Sequence, residues 1–149
     1  MIFLEYEDYR GKFLSAQKKY DEVLTQKEAL FDRTQPNGVA FDKEKVGGTA
    51  EYNSFDEYLI QMEKKRIDER LEEIKRIMDD RWNLLLDKED ELRSSQDIMD
   101  RLYVMRFLEH QKMQKIERQI NYSRARIYQL MNSLLNDVRK IRQNWTSDM

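Results

Sequence analysis

The chain has 149 residues, of which 38% are charged, with four glycines, one proline and no cysteine. An average globular protein is about 25% charged, and a chain this poor in glycine and proline favours long, solvated helices over a strand-rich fold. The absence of cysteine excludes disulfides, thiolate metal sites and cysteine nucleophiles.

The sequence shows no sign of targeting to a membrane. Its first residues, MIFLEYEDYRGKF, lack a basic stretch followed by an apolar one, and nowhere do about 18 apolar residues follow one another. We therefore expect a soluble, intracellular protein with no membrane partner.

Charge is distributed unevenly along the chain. Residues 98–149 carry ten Lys or Arg against five Asp or Glu, although the whole chain has a net charge of −2. The remainder is correspondingly acidic. A basic C-terminal third predicts a polyanionic partner for that third alone.

The first predicted element is an amphipathic helix over about residues 5–31, where apolar side chains recur at intervals of three and four. Pro36, Asn37 and Gly38 then supply a stop signal. We expect a loop over about residues 34–53, which is long for a compact domain.

A capping box formed by Ser54 and Glu57 is predicted to open a second long helix. Its inward-facing positions are predicted to begin with Leu59 and Met62 and to continue, close to alternating steps of three and four, as far as Leu85. Two helices of matched length joined by a loop predict a long antiparallel hairpin over about residues 4–92, or a dimer of such hairpins.

Shorter helices are predicted to fill the rest of the chain. Ser94 or Ser95 is a candidate cap for a helix that ends near His110, and another short helix spans about residues 112–119. Because the pattern changes after the second long helix, we predict two domains, residues 1–93 and residues 94–149.

The stretch QINYSRARIYQL has the features of a helix-turn-helix. Ile116 and Ile120 give the first helix an apolar stripe, Asn121 readily adopts left-handed backbone in a turn, and Ser123 is a good N-cap for the last helix. The sequence thus predicts an all-α fold in which a three-helix module containing this motif follows the long hairpin.

The exposed face of the last helix is predicted to read bases in the DNA major groove. Arg, Gln and Asn match the hydrogen-bonding edges of guanine and adenine. The candidate base contacts are Arg124, Ala125, Arg126, Tyr128 and Gln129. The alternative is the last amphipathic helix of a bundle, whose free face is polar for solubility alone.

Basic residues outside this face are candidates for phosphate contacts. They are Lys112, Lys115, Arg139 and Arg142. Cations near a helix C-terminus also suit the helix dipole, which is the alternative for the last two.

Catalysis finds little support in the sequence. His110 is the single histidine, and without a cysteine or a second histidine it can assemble neither a zinc site nor a histidine-based triad. The acidic residues between positions 79 and 91 lack an accompanying nucleotide-binding motif. We expect no enzyme activity, no metal and no cofactor.

The segment VMRFLEHQKMQKIERQINYSRARIYQLMNSLLNDVRKI resembles region 4 of bacterial primary-type sigma factors, which reads the −35 promoter element. The whole chain, with its helical first half, FDKEKVGG loop and INYS before the last helix, is similar to small phage-encoded regulators of the ArpU and RinA type. Two positions depart from the sigma pattern: Glu117 replaces a small residue and Asn121 replaces glycine. A carboxylate at position 117 is expected to lie along the rim or to pair with a neighbour such as Arg124.

This resemblance implies a transcriptional regulator that binds double-stranded DNA, specifically a phage or prophage late-gene activator in the cytoplasm of a bacterial host. The acidic hairpin is then expected to serve either dimerisation, which would give a homodimer, or contact with RNA polymerase. Two alternatives remain at this point. One is a DNA-packaging component similar to a small terminase, and the other is a helical protein-interaction or inhibitor module that binds no DNA.

Overall fold

The structure is a computed structural model that describes the backbone of residues 1–34 and 50–148, and the side chains of residues 1–30 and 55–145. Throughout these residues the regular structure is helical, which confirms the all-α prediction. The helices are α1 (Ile2–Thr34), α2 (Ala50–Arg93), α3 (Ile98–Tyr103), α4 (Met113–Gln119) and α5 (Arg124–Asp148). A π-helical turn, Val104–Leu108, continues directly from α3.

The second long helix starts earlier than predicted. Its backbone is already helical at Ala50, so the predicted loop end at residue 53 and the helix start at Ser54 were wrong. No proline or glycine interrupts residues 50–54, and helical propensity carries the first turn back beyond the serine. The predicted stop signal at Pro36, Asn37 and Gly38 and the Ser54 side chain of the capping box lie outside the described residues.

The helices group into two compact units, and their division differs from the predicted one at residue 93. Of the described residues, one unit contains 1–15 and 78–148, and the other contains 16–34 and 50–77. The difference arises because the beginning of α1 and the end of α2 share a hydrophobic core with the three later helices. The predicted hairpin extends over both units, so its full length stays a prediction.

Tyr103 lies at the centre of the first unit and is completely buried. Its ring stacks on Phe3 of α1 at 5.5 Å between centroids and on Phe107 of the π-helical turn at 4.9 Å. Aromatic rings bury large areas and favour such offset geometries, so this stack joins the start of α1 to the C-terminal helices. The buried members of the core are Phe3, Tyr6, Leu85, Leu92, Met99, Leu102, Tyr103, Ile116, Ile120, Ile127, Met131, Leu134 and Val138.

Asp100 connects α3 to the first turn of α1. Its carboxylate is 1% exposed and accepts the backbone N–H groups of Ile2 at 3.1 Å and Phe3 at 2.9 Å. The hydroxyl of Ser95 donates a third hydrogen bond at 2.7 Å. The first N–H groups of a helix have no partner within it, so Asp100 caps α1 from a distant part of the chain.

The cap of α3 is Asp97 and not one of the predicted serines. Asp97 Oδ1 accepts the backbone N–H of Met99 at 3.1 Å, and Ser95 is turned instead towards Asp100. Sequence alone does not rank Ser94, Ser95 and Asp97, since all three residue types are good caps.

The second unit has its own small core of Val23, Ile67 and Leu71, with partly buried apolar side chains around it. Lys27 of α1 and Asp68 of α2 form an ion pair at 2.7 Å beside this core. Within the described parts of the chain, none of the helices is both long enough and apolar enough to cross a bilayer.

Candidate nucleic-acid interface

The turn between α4 and α5 is fixed by hydrogen bonds at Ser123. The Ser123 hydroxyl accepts the backbone N–H of Arg126 at 3.2 Å, and its carbonyl accepts the N–H of Ile127 at 3.0 Å. These bonds confirm the predicted N-cap and set the first residue of α5 at Arg124.

The prediction of left-handed backbone at Asn121 was wrong. Among the described non-glycine residues, only His110 has a positive φ, at 54°. The chain leaves α4 through extended backbone at Ile120, with φ −105° and ψ 127°, so the turn needs no left-handed residue. The left-handed residue, His110, lies instead in the preceding connection, between the π-helical turn and α4.

Behind the turn, α5 buries a continuous apolar strip. Ile127, Met131, Leu134 and Val138 follow one another in steps of three and four, and each is at most 4% exposed. They belong to the same core as Ile116 and Ile120, the two residues predicted to line the first helix of the motif. The strip fixes which face of α5 points away from the core.

The five residues predicted to contact bases all lie on the solvent side at the start of α5. Arg124, Ala125, Arg126, Tyr128 and Gln129 are exposed, while Ile127 in their midst is completely buried. The structure therefore brings together the whole set of predicted base-contacting residues on one and a half turns of helix.

Arg124 is held between two side chains. Its Nε lies 3.4 Å from Oε1 of Glu117 on α4, and its guanidinium carbon lies 5.6 Å from the centre of the Tyr128 ring. The pKa of Arg124 is raised, first by a hydrogen bond with Tyr128 and then by the negative charge of Glu117. The sequence-based expectation that Glu117 pairs with Arg124 is confirmed.

Exposed basic residues flank this face. Lys112 and Lys115 lie on the solvent side at the beginning of α4, and Arg139 is exposed on α5. Arg118 is also exposed, one turn after Lys115, and the sequence-based selection left it out although its spacing of three residues from Lys115 places both on one face of α4.

Arg142 has a different role from the predicted phosphate contact. Its Nε and Nη2 donate to the two oxygens of Glu7, at 3.2 and 3.0 Å, and Glu7 is completely buried. The guanidinium also lies over the rings of Phe107 and Trp145, at 5.4 and 5.5 Å. A buried carboxylate needs a partner, and Arg142, whose side chain is 38% exposed, supplies it. Its donors to Glu7 are thus engaged within the protein, so Arg142 is not assigned to the candidate interface.

Tyr103 completes the surroundings of Glu7. Its hydroxyl donates a hydrogen bond to Oε1 of Glu7. Burial raises the pKa of Tyr103, and the negative charge of Glu7 raises it further. The phenol therefore stays protonated and remains a donor to the carboxylate.

Tyr122 is a second residue that sequence reasoning missed. It lies in the turn directly before the Ser123 cap and is 48% exposed. An aromatic side chain carrying a hydroxyl at this position can contact a sugar or a phosphate as α5 approaches a groove. Its position next to the cap is the sequence signal that could have identified it.

Among the described residues, no group of three or more acidic or histidine side chains is arranged so that it could hold a metal ion. His110 is exposed and lies in the connection before α4. Comparison of the chain with models of protein families, with curated proteins and with solved structures gave no match.

Proposed function

We propose that α4, the turn and α5 act as a helix-turn-helix that binds double-stranded DNA in a sequence-specific manner and thereby regulates transcription. The observation that carries this proposal is the exposed group Arg124, Ala125, Arg126, Tyr128 and Gln129 at the capped start of α5. In this type of motif the N-terminal residues of the second helix contact base edges in the major groove.

The residue types on this face supply chemistry for sequence reading. An arginine can donate two hydrogen bonds to O6 and N7 of guanine, and a glutamine can pair with N6 and N7 of adenine. The methyl group of Ala125 is suited to apolar contact with the thymine methyl group. Arg124, Arg126 and Gln129 are therefore assigned to hydrogen bonds with bases.

The flanking cations are assigned to the DNA backbone. Lys112, Lys115, Arg118 and Arg139 are exposed around the same helices. Each phosphate neutralised by such a residue releases counterions, so affinity should fall steeply as salt rises. These contacts fix the position of α5 on the duplex and carry no sequence information themselves.

The biological setting is proposed from the sequence resemblance to sigma region 4 and to ArpU and RinA type regulators. We place the protein as a late-gene activator of a phage or prophage that acts as a homodimer and contacts RNA polymerase. A two-fold dimer would read a palindromic site with half-sites about one helical turn apart, which makes the dimer testable from its operator.

Fluorescence anisotropy with a labelled random duplex, recorded at rising salt, tests whether the protein binds DNA at all. We expect a dissociation constant below about 10⁻⁴ M at low salt. The logarithm of the association constant should then fall linearly with the logarithm of the salt concentration. Weaker binding at low salt would rule out the proposal.

A second candidate function is favoured by exposed apolar side chains on α2. Phe55, Tyr58, Leu59 and Met62 are each at least 47% exposed, although we expected Leu59 and Met62 to face inwards. Exposed apolar groups at this spacing are typical of protein contacts. A DNA-packaging ring or a protein-interaction module would use them. Sedimentation equilibrium separates the regulator from a packaging component, because a dimer favours the regulator and a ring of many subunits favours packaging. The anisotropy titration separates both from a protein-interaction module, which would bind no DNA.

A further inference from the structure

Glu117 is an acidic side chain beside the proposed DNA-binding face. Its Oε1 lies 3.4 Å from Nε of Arg124, and its side chain is 24% exposed against 77% for Arg124. A largely buried carboxylate on α4 thus lies next to a largely exposed arginine on α5. A negative charge here repels DNA phosphates, so it weakens general binding to any duplex.

The second contact of Arg124 restricts the direction of its guanidinium. The guanidinium carbon lies 5.6 Å from the centre of the Tyr128 ring, one turn further along α5. An arginine without such contacts populates many rotamers, whereas a planar guanidinium held from two sides presents its donors in a defined orientation. Pre-orientation of this kind matters for a paired hydrogen bond to one base and matters little for a phosphate.

The contact with Glu117 leaves donors of Arg124 available. The distance of 3.4 Å is longer than the roughly 2.7–2.9 Å of a charge-assisted hydrogen bond. Oε1 of Glu117 is buried and accepts no hydrogen bond from any described residue. An arginine has five N–H donors, so the carboxylate attracts the guanidinium without saturating it.

We propose that Glu117 is a positioning residue for Arg124 that increases the discrimination of the protein between bases. It holds the guanidinium beside Tyr128 so that Arg124 approaches a base edge in one orientation, and its charge lowers affinity for DNA that offers no matching base. This inference rests on the proposed function, because it requires the start of α5 to enter a groove.

The test compares base preferences of the wild type and of variants on duplexes selected by the wild type. Arg124→Ala first identifies the base pair whose preference depends on Arg124. Glu117→Gln removes the charge and keeps the size of the side chain. We expect it to bind random duplex more tightly and to lose about tenfold in preference at that base pair, within the range that one paired base contact provides. Preferences elsewhere in the site should stay unchanged.

Two further variants separate positioning from charge. Glu117→Asp keeps the charge but shortens its reach, so it should lose preference at the same base pair without gaining affinity for random duplex. Asp137→Asn makes the same change in charge on α5, more than three turns beyond Arg124. It should leave the preference at the Arg124 base pair intact.

The outcomes distinguish this inference from the proposed function. A wild-type protein that binds no duplex would overturn both. A wild type that selects a site while Glu117→Gln and Glu117→Asp keep its full preference would overturn the inference alone. A uniform loss of preference at every position in a folded Glu117→Gln variant would also overturn it, because a positioning residue for one arginine affects one base pair.

Discussion

The carboxylate of Glu7 in the first helix accepts two hydrogen bonds from the guanidinium of Arg142 in the last helix, across 135 residues of sequence. Glu7 is completely buried, and the hydroxyl of Tyr103 donates to it as well. This network joins α1, α3 and α5 within the unit that carries the candidate DNA-binding face.

Glu7→Gln should destabilise this unit. The amide keeps the size of the carboxylate but loses the charge that Arg142 and Tyr103 bind, and hydrogen bonds to charged groups contribute about 1.5–3 kcal/mol. We expect the free energy of unfolding, measured by urea denaturation, to fall by about 2–3 kcal/mol. Glu22→Gln, at an exposed position of the same helix, is the control and should change it little. Equal stability of both variants would contradict the network.

Gly11 is buried, and a Cβ at this position would overlap the indole ring of Trp145, lying 2.6 Å from Cε2. Alanine within a helix normally stabilises by about 0.5–1 kcal/mol relative to glycine. Gly11→Ala should instead destabilise by about 1–3 kcal/mol through overpacking.

A double-mutant cycle with Trp145→Ala tests the cause of that effect. Once the indole is removed, Gly11→Ala should become neutral or stabilising in urea denaturation. If Gly11→Ala lowers the free energy of unfolding equally in the wild type and in Trp145→Ala, the close approach of Trp145 does not explain why residue 11 is glycine.

The ion pair of Lys88 and Glu5 should affect the pH at which Glu5 becomes protonated. Lys88 Nζ lies 2.7 Å from Oε2 of Glu5, and the pKa of Glu5 is lowered by this hydrogen bond and by the charge of Lys88. A carboxylate whose pKa is lowered by folding stabilises the folded state at pH values above the pKa that it has in the unfolded chain. That stabilisation is lost as the pH falls through the pKa of the folded state. Lys88→Met should therefore raise the pKa of Glu5 towards its ordinary value of 4.5.

Titration of the Glu5 carboxyl carbon by NMR measures this change. Lys12→Met removes another lysine of the same unit, one that pairs with Asp8, and should leave the Glu5 pKa where it is in the wild type. A Glu5 pKa that is equal in the wild type and in Lys88→Met would show that the pair does not form in solution.

Arg139 and Arg142 lie three residues apart on α5, and the structure predicts opposite behaviour for them. Arg139→Gln should lower the slope of log affinity against log salt by about 0.9, the value for one lost phosphate contact, and should leave stability unchanged. Arg142→Gln should lower the free energy of unfolding and leave the salt slope unchanged. Anisotropy titrations together with urea denaturation compare the two. A salt slope that falls equally in both variants would return Arg142 to the interface.

Local features of the fold could be predicted from the sequence, whereas long-range pairings could not. The Ser123 cap and the buried strip that begins at Ile127 depend on neighbours within one or two turns, so residue type and spacing indicate them. Asp100 caps Phe3, 97 residues away, and Glu7 binds Tyr103 and Arg142, at least 96 residues away. No local pattern marks these pairings. For this reason the sequence alone does not distinguish Arg142, the partner of Glu7, from a free surface cation.

The exposed face of α5 could be predicted from the sequence only in part. Its five candidate base contacts follow from helical periodicity once the buried strip is known. The contact of Glu117 with Arg124 was anticipated because the two residues flank a short turn. The geometry of the turn was not anticipated. Asn121 is able to adopt left-handed backbone, but the chain turns through extended backbone at Ile120.

Selection of bound molecules from a random duplex library tests most directly whether the start of α5 reads a DNA sequence. We predict that the wild type enriches a defined motif, and that Arg124→Ala and Arg126→Ala each lose about tenfold or more in affinity for it while binding random duplex nearly as well as before. A folded wild-type protein that enriches no motif, or variants that lose affinity equally for selected and random duplexes, would contradict the claim.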